Sequence, residues 1–117
     1  MSQSGWIAVD LDGTLAHYEG WKGVDQIGEP VPLMLSRVKG WLAEGKSVKI
    51  FTARVHGHGA TIIGSTEKVD AIGPIEKWCQ KHIGQVLTVT NVKDFGMIEL
   101  WDDRAIQVKM NTGERVP

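Results

Sequence analysis

The chain has 117 residues, of which 42% are hydrophobic and 23% charged, a composition typical of one globular domain and unlike a disordered chain. Thirteen basic residues oppose fourteen acidic ones, and the net charge of −1 argues against a dedicated, sequence-indifferent nucleic-acid binder. The single cysteine, Cys79, excludes an internal disulfide and is typical of a reducing compartment. No apolar run approaches the roughly 18–20 residues of a membrane span, and residues 1–5 lack signal-peptide features. The sequence therefore predicts a soluble, cytoplasmic domain without a membrane partner.

The first half of the chain predicts two strands joined by a helix. Residues 6–9 form a continuous apolar run that ends at Asp10, the pattern of a strand buried on both faces. A helical spacing of apolar residues begins at Pro32, which suits a first helical turn because its missing N–H would have no partner there. Gly45 is predicted to close this helix, and residues 48–52 predict the second strand.

The second half predicts a Gly-rich loop over residues 55–65, and then a helix that starts after an N-cap at Ser65 and ends near His82. Pro74 is expected to interrupt this helix. Three further strands are predicted, over residues 86–89, 97–101 and 105–110. Strands separated by helices favour parallel pairing. The predicted fold class is therefore α/β, a single Rossmann-like three-layer domain with a mostly parallel five-stranded sheet.

Two pairs of carboxylates directly follow predicted strands. Asp10 and Asp12 come after the first strand, and Asp102 and Asp103 come after the fourth. The carboxyl ends of strands are where open α/β sheets bind ligands, and four carboxylates gathered there repel one another unless a cation neutralises them. Oxygen-only ligands of this kind suit Mg²⁺. The alternative, that these Asp residues only cap helices or turn the chain, explains one isolated pair better than two strand-terminal pairs.

Two further polar residues follow the remaining strands. Thr52 ends the second strand and offers a hydroxyl and backbone N–H groups to phosphate oxygens, and Lys93 lies just past the third strand and offers a positive charge. Taken singly, they would be an ordinary strand-end Thr and an ordinary surface Lys. Their order along the chain makes them candidates for a shared site: Asp-x-Asp, Thr, Lys and Asp-Asp, each at the end of a separate strand.

This ordered set resembles the haloacid dehalogenase (HAD) superfamily of phosphohydrolases. The matching segments are residues 10–15 (DLDGTL), residues 50–54 (IFTAR), Lys93 and residues 101–105 (WDDRA). The resemblance implies that Asp10 is the nucleophile and forms an aspartyl-phosphate. It also implies that Asp12 protonates the leaving oxygen and then activates water.

The same resemblance implies where the substrate and the metal bind. The substrate set is Thr52, Ala53, Arg54 and Lys93. The Mg²⁺ set is Asp10, Asp12 through its backbone carbonyl, Asp102, and Asp103 directly or through water. The segments between the motifs are too short for the cap domain that many HAD members insert, so a capless member with an open site is expected.

A capless site takes its specificity from loops, from a partner subunit or from a large substrate. The loops over residues 16–30 and 55–65 are the candidates here, and Trp21 in the first could stack on a base. His56 and His58 in the second allow three interpretations: a solvated loop, a substrate contact or a metal-binding pair. The sequence leaves open whether the chain forms a homo-oligomer.

The function expected from the resemblance is Mg²⁺-dependent hydrolysis of a phosphomonoester. The expected partner is a phosphorylated small molecule, with a nucleotide or a phosphorylated nucleic-acid end as the first substrate class and a sugar phosphate as the alternative. A receiver-like signalling module that holds a phospho-Asp without turnover is the alternative from another functional class. Receivers, however, carry their acidic pair after the first strand and lack an acid two residues beyond the phosphorylated Asp.

Overall fold

The computed structural model describes residues 5–55 and 71–117. Its elements are β1 (Trp6–Val9), α1 (Pro32–Ala43), β2 (Val48–Phe51), a short 3-10 helix (Ala53–Val55), α2 (Ile72–His82), β3 (Thr88–Thr90) and β4 (Met97–Trp101). The four strands of this described part form one parallel sheet in the order β3-β2-β1-β4. The predicted α/β class is confirmed, and β1 occupies an interior position with neighbours on both sides.

Local signals account for the bounds of α1. Pro32 occupies its first turn, as predicted. At its other end Gly45 adopts a φ of +82°, its N–H donates to Leu42, and the N–H of Lys46 donates to Trp41 at 2.9 Å. This pair of bonds is the Schellman motif, which satisfies carbonyls that the last helical turn leaves without partners.

Both described helices pack against the same face of the sheet. Ile7 and Val9 of β1 join Val48 and Ile50 of β2 in one apolar core. The helices contribute five buried side chains to that core: Met34 and Val38 from α1, and Ile75, Trp78 and Cys79 from α2. Cys79 is fully buried in this core and is therefore a packing residue, and burial raises the pKa of its thiol.

The opposite face is crossed by the connection between β3 and β4. Residues 91–96 carry the chain from one edge strand to the other, and Asp94 accepts a hydrogen bond from the Trp6 indole at 2.9 Å. The Lys49 ammonium lies 4.5 Å from the Trp6 ring centre on this same face. A connection this short can cross a sheet only in extended form. The described helices therefore form one layer on one face of the sheet, and the predicted three-layer, Rossmann-like arrangement is not confirmed.

The predicted fifth strand over residues 105–110 does not form. This segment pairs with the chain that follows it, because Val116 donates to Gln107 at 2.8 Å and Lys109 donates to Glu114 at 2.7 Å. The backbone groups that a fifth strand would offer to β4 are thus used locally. The alternating apolar residues lack a buried face, and Met110 remains 84% exposed.

Two other predicted bounds shift. β3 begins at Thr88 rather than at residue 86. Pro74 lies in the first turn of α2 and does not interrupt it, because the N–H groups of a first helical turn have no intrahelical partners. The predicted N-cap at Ser65 lies outside the described residues. None of the described helices is long and apolar enough to cross a membrane.

Candidate active site

The carboxyl ends of β1 and β4 bring three of the four predicted carboxylates together. Val9 pairs with Trp101 across the two strands, and the N–H of Asp10 donates to the Trp101 carbonyl at 2.9 Å. The residues that follow each strand are therefore neighbours. One carboxylate oxygen each from Asp10, Asp102 and Asp103 lies within 4.8 Å of the other two.

The turn after β1 is shaped to admit the Asp103 carboxylate. Gly13 has a φ of +91°, and a Cβ at this position would lie 2.7 Å from Asp103 Oδ2. The Thr14 hydroxyl accepts a hydrogen bond from the Asp103 N–H at 3.0 Å and lies 3.2 Å from Asp103 Oδ1 and 3.5 Å from Asp10 Oδ2. Thr14 therefore links the two strand ends. The sequence pattern alone does not predict this role, although the place of Thr14 directly after Gly13 is a signal that could have indicated it.

Crowding of the carboxylates perturbs Asp10. Partial burial, the negative charges of Asp102, Asp103 and Asp12, and a hydrogen bond with Asp103 raise the pKa of Asp10 to about 7, with burial the largest cause. Because the negative charges of these carboxylates repel one another, a bound cation would stabilise them. The donors are all carboxylate oxygens, which Mg²⁺ prefers. Asp10, Asp102 and Asp103 therefore form a group that could hold a metal ion, and its donor chemistry fits Mg²⁺.

The Asp12 carboxylate has a different partner. The Arg54 guanidinium binds both of its oxygens, through Nε at 2.6 Å and Nη2 at 2.8 Å. This is the bidentate fork that Arg forms with carboxylates. The Asp12 side chain thus stands outside the three-carboxylate cluster, and only its backbone carbonyl remains as the metal ligand that the resemblance implies.

A loop beside Asp12 forms one wall of a cleft. The loop is closed at its base by a hydrogen bond of 2.9 Å from the His17 N–H to the Glu29 carbonyl. The cleft has a volume of about 460 Å³ and is lined by Asp12 and Arg54 together with loop residues that include Tyr18 and Lys22. This volume lies in the range of small-molecule sites. Trp21 lies outside the lining and is 56% exposed.

The remaining predicted site residues do not join the three-carboxylate cluster. Thr52 is buried at the end of β2, and its hydroxyl accepts a hydrogen bond from the Arg54 N–H at 3.1 Å. Ala53 is exposed at the start of the 3-10 helix. Lys93 is exposed in the connection that precedes β4 and forms no ion pair with a described residue. The structure therefore does not bring Lys93 into contact with the aspartates, and His56 and His58 lie outside the described residues.

One solved structure is similar over most of the chain. It is that of a conserved protein from Bacteroides thetaiotaomicron, with 18% sequence identity and a TM-score of 0.59, and the match covers 88% of this chain and 78% of that one. This likeness shows a shared fold. No protein-family model and no curated protein matches the sequence.

The pKa of Asp10 predicts how the stability of the metal-free protein depends on pH. The ordinary value for this carboxyl is 3.8, against about 7 in the fold. Because the folded-state pKa is the higher one, protonation of Asp10 stabilises the folded protein. This stabilisation is fully present below pH 3.8 and is lost as pH rises through 7. An asparagine side chain cannot ionise, so Asp10→Asn should gain stability relative to the wild type across this window. Urea unfolding of both proteins in EDTA measures the gain, and a stability difference that is independent of pH would contradict the assignment.

Proposed function

We propose that the chain is a Mg²⁺-dependent phosphomonoester hydrolase of the HAD type, with a Rossmann-like core and an aspartyl-phosphate intermediate on Asp10. The observation that carries the proposal is the convergence of Asp10, Asp102 and Asp103 within 4.8 Å at adjacent strand ends. The parallel sheet with β1 inside supports it, since ligands of open α/β sheets bind beyond the carboxyl ends of strands. Asp12, two residues from the nucleophile, borders the adjoining cleft.

The proposed reaction has two steps. A carboxylate oxygen of Asp10 attacks phosphorus, the bond from phosphorus to the leaving oxygen breaks, and Asp12 gives that oxygen its proton. Water then attacks the phosphorus of the aspartyl-phosphate and passes a proton to Asp12, while the bond from phosphorus to Asp10 breaks. Phosphate leaves, and both residues return to their starting forms.

The proposed metal ligands are the carboxylates of Asp10, Asp102 and Asp103 and the backbone carbonyl of Asp12. Bound Mg²⁺ would neutralise charge on the crowded carboxylates and on the phosphoryl oxygens. The hydroxyl and N–H groups around Thr52 and the charge of Lys93 are proposed to contact the phosphoryl group.

The cleft is the proposed site of the leaving group. Its volume of about 460 Å³ accommodates a sugar or a nucleoside, and Tyr18 and Lys22 offer an aromatic ring and a positive charge. A nucleotide or a phosphorylated nucleic-acid end is the substrate class that we favour, with a sugar phosphate as the alternative. The Arg54 guanidinium lies 4.8 Å from the centre of the Trp21 ring, and Trp21 does not line the cleft whereas Tyr18 does. Tyr18, rather than Trp21, is therefore the proposed base-stacking residue.

Hydrolysis of p-nitrophenyl phosphate tests the proposed function. We expect many turnovers per chain with Mg²⁺ and none with EDTA, and circular dichroism should show a folded protein in both. Formation of a single equivalent of phosphoprotein without turnover would identify a receiver-like module instead. Equal rates with Mg²⁺ and with EDTA would contradict the proposed metal dependence.

A further inference from the structure

We propose that Arg54 is a positioning residue, which holds the Asp12 carboxylate and residues 21–26 in one arrangement beside the cleft and does not bind the substrate phosphate. The inference rests on the proposed function, because that function gives Asp12 its proton-transfer role. It replaces the substrate-binding role that the resemblance implies for Arg54. Three features of the contacts around this side chain carry it.

The first feature is that every guanidinium N–H of Arg54 has an acceptor within the fold. Nε and Nη2 bind the two oxygens of Asp12. The other bonds go to backbone carbonyls of the loop: Nη1 to Gly23 at 3.4 Å and to Val24 at 3.2 Å, and Nη2 to Gln26 at 2.8 Å. A guanidinium has five N–H donors and no acceptor, so the bonds to Asp12 and to these carbonyls leave none for a phosphate oxygen.

The second feature is burial. The Arg54 side chain is only 4% exposed, and the Trp21 ring contacts its guanidinium at 4.8 Å. Although Arg54 borders the cleft, little of its side-chain surface is open to a phosphate. The carbonyls of Val24 and Gln26, in turn, depend on Arg54, because residues 17–29 form no helix or strand that would satisfy them. The Gly23 carbonyl also accepts a hydrogen bond from the Gln26 N–H at 3.1 Å.

The third feature is that the geometry leaves Asp12 free to transfer a proton. Each carboxylate oxygen has two lone-pair positions, and the Arg54 fork uses one on each oxygen. The remaining positions can carry a proton while the fork fixes the plane of the carboxylate. Because Asp12 also lines the cleft, that plane sets the direction in which a leaving oxygen receives its proton.

The test compares two substrates that differ in their need for the Asp12 proton. An alkyl phosphate such as glycerol phosphate needs leaving-group protonation, whereas p-nitrophenyl phosphate has a good leaving group and needs little. General acid–base catalysis contributes roughly 10²–10⁴-fold, and kcat/KM reports on the steps up to formation of the phosphoryl-enzyme, before Asp12 activates water. We therefore expect Arg54→Ala to lower kcat/KM about 10–100-fold on the alkyl phosphate and by less than about threefold on the aryl phosphate. Arg54→Lys keeps the charge but not the fork and should fall between Arg54→Ala and the wild type.

A double-variant cycle separates positioning from substrate binding. If Arg54 acts through Asp12, adding Arg54→Ala to Asp12→Asn should change kcat by less than about twofold, whereas independent roles would multiply. Arg37→Ala is the matched control, because Arg37 is an exposed arginine that also stacks on a tryptophan, 5.1 Å from the Trp101 ring. The inference would be overturned if the losses of the two single variants multiplied in the double variant. It would also be overturned if Arg54→Ala raised KM on both substrates without lowering kcat, because Arg54 would then bind the substrate.

Amide hydrogen exchange tests the contact with the loop independently of any activity. Arg54→Ala should accelerate exchange of the amides in residues 20–27 by about tenfold or more relative to Arg37→Ala, because the loop loses the donors for its carbonyls. Unchanged exchange there would contradict the inference even in an active phosphatase. Accelerated exchange in a protein that hydrolyses neither substrate would instead refute the proposed function, and with it the catalytic part of the inference, while confirming the contact.

Discussion

Asp10→Asn is expected to abolish phosphate release while leaving the fold intact. The substitution removes the attacking oxygen with almost no change in side-chain volume, and loss of a nucleophile typically lowers kcat by more than about 10⁴-fold. The variant should unfold at the same or higher denaturant concentration at neutral pH, since it relieves the crowding that raises the pKa of Asp10 to about 7. Phosphate release and urea unfolding, measured on the same preparation, check both expectations.

The matched control for this variant is Glu76→Gln. Glu76 is an exposed acid on α2, so its replacement makes the same change from acid to amide away from the site and should leave kcat unchanged. Turnover by Asp10→Asn above about one hundredth of the wild-type rate, in protein freed of contaminating phosphatase, would remove Asp10 from the nucleophile role.

Asp102→Ala is expected to eliminate both the response to Mg²⁺ and the activity. A ligand present at a hundredfold excess over its Kd adds about 2.7 kcal/mol to the free energy of unfolding, which corresponds to about 10 °C in Tm for a chain of this size. We expect the wild type to show a Mg²⁺-dependent rise on this scale. Without metal, Asp102→Ala should melt no lower than the wild type, because the Asp102 charge is one cause of the raised pKa of Asp10.

Thermal melts with and without Mg²⁺ make this comparison, and Glu76→Gln again serves as the control that keeps its shift. A full Mg²⁺ shift that persists in Asp102→Ala would place the metal elsewhere. Loss of the shift with normal turnover would separate metal binding from the reaction.

The three-carboxylate cluster was predictable because strand patterns and strand ends are local properties of the sequence. The apolar runs of β1 and β4 were predicted with the bounds that the structure shows. Once two strands are parallel neighbours, the residues that directly follow them lie together. No further information was needed to predict that Asp10 and Asp102 lie close together.

The features that escaped prediction depend on contacts between distant segments. Asp12 and Arg54 are 42 residues apart in sequence, and no local pattern distinguishes an Arg that binds phosphate from one that binds a carboxylate. The alternating pattern after Asp103 predicted a strand, yet those residues bond to the segment ending at Val116. In both cases tertiary contacts decide which groups form the hydrogen bonds, and these contacts cannot be read from the local sequence.

The most direct test of the proposed covalent mechanism is to trap the phosphoryl-enzyme. Asp12→Asn should slow hydrolysis of the intermediate more than its formation on an activated aryl phosphate, because activation of water needs the Asp12 carboxylate. Acid quenching followed by peptide mass spectrometry should then show one added phosphoryl group on Asp10. The double variant Asp10→Asn/Asp12→Asn should show no added group. Turnover by the wild type with no phosphoryl group on Asp10 in the trapped Asp12→Asn protein, or with the group on another residue, would contradict the account.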